Sequence, residues 1–174
     1  MTKSSFPTRR FLLASAPLLM LGAAISKKPI ASAGEVSASD QFSDSQWRRL
    51  SDEAWRSRLS PAAYNVLRRE GTERPFTSPL NDEKREGVFA CAGCQLPLFE
   101  SRTKYYSGTG WPSFFDVIDG AVGTKIDRRL WMVRTEYHCA RCLGHQGHVF
   151  SDGPAPTGLR YCNNGVALTF IPAE

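Results

Sequence analysis

A mostly β domain with short helices at its start is what this chain of 174 residues predicts, and three observations predict it. Beyond Gly71 the chain runs in short stretches rich in Val, Phe, Tyr and Thr, broken about every eight to twelve residues by Gly, Pro, Asn or Asp, the texture of antiparallel sheet. Ahead of Gly71, two segments carry helix start signals. Two Cys-x-x-Cys pairs, Cys91/Cys94 and Cys139/Cys142, offer four thiolates to one metal ion. With 41% hydrophobic and 11% aromatic residues the chain can bury one good core, and a second full domain is not expected.

Residues 1–33 read as an address. Arg9-Arg10 precedes FLLASAPLLMLGAA, an uncharged run of 14 residues from Phe11 to Ala24. That is short of the roughly 20 residues a membrane-spanning helix needs. A basic start, a short apolar run and small residues at Ala31-Ser32-Ala33 describe an export signal. The arginine pair and Lys27-Lys28 resemble a twin-arginine signal, which predicts a periplasmic protein with no membrane attachment once the signal is removed; an uncleaved N-terminal anchor is the alternative. Residues 34–50, rich in serine, are expected to be a flexible lead, and residues 51–172 the folded domain.

Charge supports this division. The formal net charge is +5, but Lys3, Arg9, Arg10, Lys27 and Lys28 all lie in residues 1–33 with no carboxylate, so the remainder carries 17 basic and 17 acidic groups. A neutral domain has no electrostatic case for nucleic acid.

Within the domain, Ser51 followed by Asp52-Glu53 and then Arg56 and Arg58 has the cap and charge order of a short helix. Ser60-Pro61 starts a second, with Ala63, Val66 and Leu67 on its apolar side and Gly71 as its stop. Strands are expected at 87–90, 97–101, 113–117, 121–126, 130–138, 147–151, 159–162 and 166–171. The clearest is 130–138, where Trp131, Val133, Thr135 and Tyr137 alternate with Met132, Arg134, Glu136 and His138.

Four thiolates in a tetrahedron are the closed environment of structural zinc. The 44 residues between the pairs exceed a zinc-ribbon interval, so one ion would clip two distant turns together. Such a site supplies about 10–16 kcal/mol, comparable with a whole domain's stability of about 5–15 kcal/mol. Disulfides or a redox-active dithiol are the competing readings for an exported protein. A bridge closing so tiny a loop gains little, and the strand-then-helix setting of a thioredoxin motif is lacking.

Cys162 is left over. A lone cysteine is usually a buried small hydrophobe, but period two puts Arg160, Cys162 and Asn164 on one strand face, and a guanidinium favours the thiolate. Cys162 therefore reads as a nucleophile. His145 and His148 follow the second cysteine pair closely. They could be further metal ligands or surface histidines, but four cysteines already saturate one zinc, leaving imidazoles that can move protons near neutral pH.

Gly71-Thr72-Glu73-Arg74-Pro75-Phe76, the two cysteine pairs, Ser107-Gly108-Thr109-Gly110-Trp111-Pro112-Ser113-Phe114, His145-x-Gly147-His148-Val149-Phe150, Asp152-Gly153-Pro154, Pro156-Thr157-Gly158 and Arg160-Tyr161-Cys162-x-Asn164 together resemble the methionine-R-sulfoxide reductases, the MsrB family. The likeness spans residues 47–172. It implies two antiparallel sheets, zinc turns away from the active site, and a monomer that reduces the R epimer of methionine sulfoxide, free or in proteins. It assigns Cys162 as the attacking sulfur, His145 and His148 to the sulfoxide oxygen and its proton, and Asn164 and Arg160 to the sulfur's charge. Trp111 would meet the substrate's S-methyl group, and Phe150 is a second substrate-binding residue. Where many members carry a resolving cysteine this chain has Thr109, so a thioredoxin-like thiol partner is expected to reduce the Cys162 sulfenic acid directly. Gln146 and Asn163 depart from the family's usual apolar residues, in what should be the pocket wall.

Two rival functions remain at this point: a zinc-clipped binding module in which Cys162 is merely buried, and a cysteine hydrolase using Cys162 and His148.

Overall fold

The structure is a computed structural model that describes residues 41–129 and 132–174. The export signal, the first part of the lead, Leu130 and Trp131 lie outside the described residues. Among the described residues no helix is long and apolar enough to cross a membrane.

Two α-helices lie between the lead and the strands, as expected. Helix α1 spans Asp52–Arg58, with the Ser51 hydroxyl accepting from Ala54 N, and α2 spans Pro61–Arg69, with Ser60 accepting from Ala63 N. Ala63, Val66 and Leu67 of α2 are buried. Helix α2 ends with Glu70, not Gly71, in the left-handed region at φ 56°. The packed domain also reaches upstream of Ser51, into the stretch expected as lead. Gln46–Arg49 form a 3-10 turn, Trp47 lies 6.0 Å from the Trp55 ring, and an Arg48 guanidinium donates to Ala140 O at 2.7 Å. An indole that can reach the core holds this serine-rich segment against it.

Among the described residues nine strands follow: β1 (Gly87–Cys91), β2 (Pro97–Glu100), β3 (Lys104–Tyr105), β4 (Ser113–Phe114), β5 (Val122–Asp127), β6 (Arg134–Cys139), β7 (His145–Phe150), β8 (Arg160–Asn163) and β9 (Leu168–Pro172). They form a three-stranded sheet ordered β2-β1-β9 and a six-stranded sheet ordered β3-β4-β8-β7-β6-β5. Every pairing is antiparallel. Between the sheets Phe89, Phe99, Phe114 and Tyr137 are fully buried, with Phe99 stacked on Phe114 at 4.1 Å.

Several boundaries differ from expectation. The described part of 130–138 becomes strand only from Arg134, since Met132 and Val133 stand exposed in the β5–β6 connection. The 113–117 run shortens to two residues, and 166–171 begins with a 3-10 turn over Gly165–Ala167. Strand β3 was not expected; two residues give no period to read.

Candidate active site

The cysteine pairs sit on matching turns. Strand β1 ends at Cys91 and β6 at Cys139, and in each turn the residue after the second cysteine, Gln95 or Leu143, has a positive φ. Gln95 N donates to Cys91 O at 2.8 Å and Leu143 N to Cys139 O at 2.9 Å. Each turn thus aims two sulfurs the same way. All four sulfurs are buried and lie within 4.8 Å of one another, with Cys91–Cys142 at 3.6 Å and Cys94–Cys139 at 3.5 Å. A zinc ion with sulfurs at about 2.3 Å needs them about 3.8 Å apart, so the residues fit the ion. They are reduced and unpaired as disulfides. Arg141 Nε donates to Cys94 Sγ at 3.5 Å and Gln146 Nε2 to Cys91 Sγ at 3.3 Å, which offsets thiolate charge.

The second site is built by cross-strand register. On the outer face of the six-stranded sheet one row runs Lys125, Glu136, His148, Cys162, Ser113 and Tyr105. On the same face Asp127 pairs with Arg134 and Phe150 with Arg160. In a regular strand His145 and His148 would point to opposite faces. A bulge prevents this: Tyr137 pairs with Gly147 but His138 pairs with His145, so Gln146 is an extra residue in β7. Both imidazoles then stand beside the β6 carboxylate, 5.5 Å apart.

Their partners fix them. His145 Nδ1 donates to Glu136 Oε1 at 2.7 Å, and His138 Nδ1 donates to Glu136 Oε2 at 3.1 Å. Burial pushes the Glu136 carboxyl up, but the two imidazoles more than offset this and bring it to about 2. His148 Nε2 donates to Asp127 Oδ2 at 2.8 Å, where Arg134 Nη2 also donates at 2.7 Å. Burial pushes His148 below its ordinary value, against the pull of Asp127.

A cavity of about 130 Å³ opens on this face, lined by Thr72, Trp111, Arg134, Gly147, His148, Phe150, Cys162, Asn163 and Asn164. It has room for about four waters' share of liquid volume, the scale of one small side-chain head. A larger cleft of about 920 Å³, between residues 81–88 and 100–106, holds neither cysteine nor histidine. Cys162 is partly exposed; burial pushes its thiol up, while the Arg160 charge and a hydrogen bond from Thr109 pull it down.

Of the sequence-predicted residues, the cavity wall unites Cys162, His148, Asn164, Trp111 and Phe150. His145 stands behind His148, 3% exposed and outside the wall. Arg160 also lies outside it, forked onto Asp152 through two 2.8 Å hydrogen bonds and stacked 4.3 Å over Phe150. Asn164 is not free to follow the sulfur. Its Nδ2 donates to Gln146 O at 2.9 Å, and its Oδ1 accepts from Glu73 N at 3.0 Å. Trp111 Nε1 donates to Glu73 O at 3.1 Å, so Glu73 ties the cavity wall to the β8 end. Gln146 is corrected outright: it is wholly buried beside Cys91 and forms no part of the pocket. Asn163 does line the pocket, yet its side chain turns inward, where Oδ1 accepts from Tyr137 Oη at 2.7 Å.

Glu136, Asp127, Arg134, His138 and Thr72 were missed. One signal was available: Arg134, Glu136 and His138 alternate on the strand nearest in sequence to the histidines, and acids beside imidazoles are their usual orienters.

Fold and site together define a metal-stapled β domain with a cysteine–histidine pocket. A family model described as the SelR domain matches residues 59–172, and the chain belongs to this family. It is 53% identical over 123 residues to the peptide methionine sulfoxide reductase MsrB of Pseudomonas entomophila (strain L48), covering 70% of this chain and 94% of that one. The MsrB of Agrobacterium fabrum (strain C58 / ATCC 33970) is 53% identical over 123 residues, 70% of this chain and 91% of its own. That of Methanosarcina barkeri (strain Fusaro / DSM 804) is 54% identical over 125 residues, 71% and 88%.

Proposed function

We propose that the chain is a peptide methionine (R)-S-oxide reductase, returning the R epimer of methionine sulfoxide to methionine at the expense of thiols. The observation that carries this is the direct pairing of Cys162 with His148 on the wall of a cavity shared with Trp111. A sulfoxide sulfur is a weak electrophile until its oxygen is protonated, so a thiolate needs an acid across from it. Cys162 forms a bond to the sulfoxide sulfur while His148, held by Asp127, gives a proton to the oxygen, and His145, locked by Glu136, backs the His148 ring. The oxygen passes to Cys162, releasing the thioether and leaving a sulfenic acid. A first external thiol converts this to a mixed disulfide and water; a second restores Cys162 and leaves as a disulfide. Trp111 and Phe150 take the S-methyl group. A zinc ion held by Cys91, Cys94, Cys139 and Cys142 would staple the β1 and β6 turns together, a structural contribution apart from these steps.

The finer reading is that the thiols come from a thioredoxin-like partner and that the enzyme acts as a monomer. The cysteine tetrad and Thr109 leave no internal thiol for Cys162. We place the protein in the periplasm by the twin-arginine route, supported by Arg9-Arg10, the short apolar run and a family match that begins only at residue 59.

Separated R and S epimers of a blocked methionine sulfoxide, supplied with dithiothreitol, test the function. Wild type should consume R only, and Cys162→Ser neither, with zinc content unchanged. Turnover of S, or activity surviving in Cys162→Ser, overturns the assignment. An intramolecular disulfide at Cys162 in the zinc-loaded enzyme after one turnover overturns the external donor.

A further inference from the structure

Gln146 joins the two sites. It is the extra residue of the β7 bulge, it is fully buried, and its side-chain amide is spent on neither water nor substrate. Its Nε2 donates to Cys91 Sγ at 3.3 Å, and its Oε1 accepts from Asn163 Nδ2 at 3.3 Å. Its main-chain oxygen accepts from both Asn164 N and Asn164 Nδ2 at 2.9 Å. An unbroken set of hydrogen bonds therefore runs from a metal-site sulfur through Gln146, Asn164 and Glu73 to the Trp111 indole.

A buried amide donor without an acceptor is costly. A thiol sulfur accepts weakly, whereas a metal-bound thiolate accepts strongly and in a direction fixed by its tetrahedron. Placement of the Gln146 side chain, and with it the bulge, thus depends on what Cys91 is bound to. The bulge in turn is what turns His145 and His148 to one face. We infer that Gln146 is a positioning residue, anchoring the histidine bulge of β7 to the metal-bound Cys91 thiolate. The inference rests on the zinc and cysteine–histidine reading above.

Arg141 supplies the control. It also donates to a metal-site sulfur, Cys94 at 3.5 Å, but has no hydrogen bond into β7 or β8. The test compares wild type, Gln146→Leu, Gln146→Met, which keeps length without the donor, and Arg141→Met. Each is loaded with cobalt(II) for the sulfur-to-metal charge-transfer band, and with zinc for imidazole ¹⁵N spectra and turnover.

Losing a hydrogen bond raises the thiolate lone pair in energy, so both Gln146 variants and Arg141→Met should move the band to longer wavelength. Metal affinity against a chelator should fall about tenfold in the Gln146 variants, as for other outer-shell partners. Only the Gln146 variants should shift the His145 and His148 resonances and lower kcat with KM little changed. An unmoved band in the Gln146 variants overturns the inference, as does a moved band with His145 and His148 unaffected. A wild type inactive on sulfoxide would sink the functional reading alone, because band and imidazole shifts are read without turnover.

Discussion

His148 and Cys162 are direct partners across β7 and β8, and burial pushes them in opposite directions, the imidazole down and the thiol up. At neutral pH the resting pair is therefore a thiol facing a neutral imidazole. The pair that would attack under the proposed mechanism, thiolate with imidazolium, differs from it only by where one proton sits. Moving that proton from sulfur to ring creates nucleophile and acid in one step.

A flat pH profile follows. Between the lowered imidazole value and the raised thiol value, the proton count of the pair does not change. We expect kcat/KM to hold steady across neutrality, to fall in acid as His148 takes a second proton and Cys162 keeps its own, and to fall in alkali as the pair loses its proton. Initial rates on a blocked R sulfoxide from about pH 5 to 10 check this. A sharp optimum inside that range would contradict it.

Arg160 sets the alkaline limb. Its charge lowers the Cys162 thiol, whereas Asp152, which it grips, raises it. In Arg160→Met the limb should move to higher pH and iodoacetamide alkylation at pH 7 should slow severalfold, because the thiolate fraction falls. Asp152→Asn should leave alkylation as fast as wild type or faster. Slowing in both variants would mean that the ion pair supports β8 and does not tune the sulfur.

The antiparallel texture, both helix caps and the cysteine tetrad were legible because each is local in sequence: a period, a cap residue, a spacing. What stayed hidden is set by register between strands. Nothing near His145 announces that the β6–β7 pairing slips by one residue, so its turn toward Glu136 could not be read from the histidine spacing. Gln146 was tied to the pocket wall only through its place in the family motif, and the bulge that buries it beside Cys91 leaves no local mark. Asp127 lies across β6 from the histidines and was invisible for the same reason.

Gly147 should be intolerant of any side chain. It lies opposite Asn163, and a Cβ there would stand 1.9 Å from Cys162 O, a main-chain atom that cannot swing aside. Gly147→Ala must push β8 off β7, at about 1–3 kcal/mol for forced overpacking, and carry Cys162 away from His148. A lowered urea midpoint together with lost turnover is the expected result. Activity intact in a stable variant would show that β8 is not held as tightly as the register implies.

Glu136 carries two histidines on separate oxygens, and its carboxyl, at about 2, lies well below the ordinary glutamate value of about 4.3. A carboxyl lowered on folding stabilises above the unfolded value and loses that contribution as pH falls toward the folded one. The difference is on the order of 3 kcal/mol at pH 7. Glu136→Gln removes the anion and presents an amide donor to one Nδ1–H. In the zinc-loaded protein at pH 7 it should lose stability of that order in urea, along with most turnover as His145 is released from its orientation. A ¹³C carboxyl titration of wild type gives the independent reading: Glu136 should remain ionised at pH 4, where exposed glutamates are more than half protonated. A normal titration, with Glu136→Gln as stable as wild type, would remove Glu136 from the account of how the imidazoles are held.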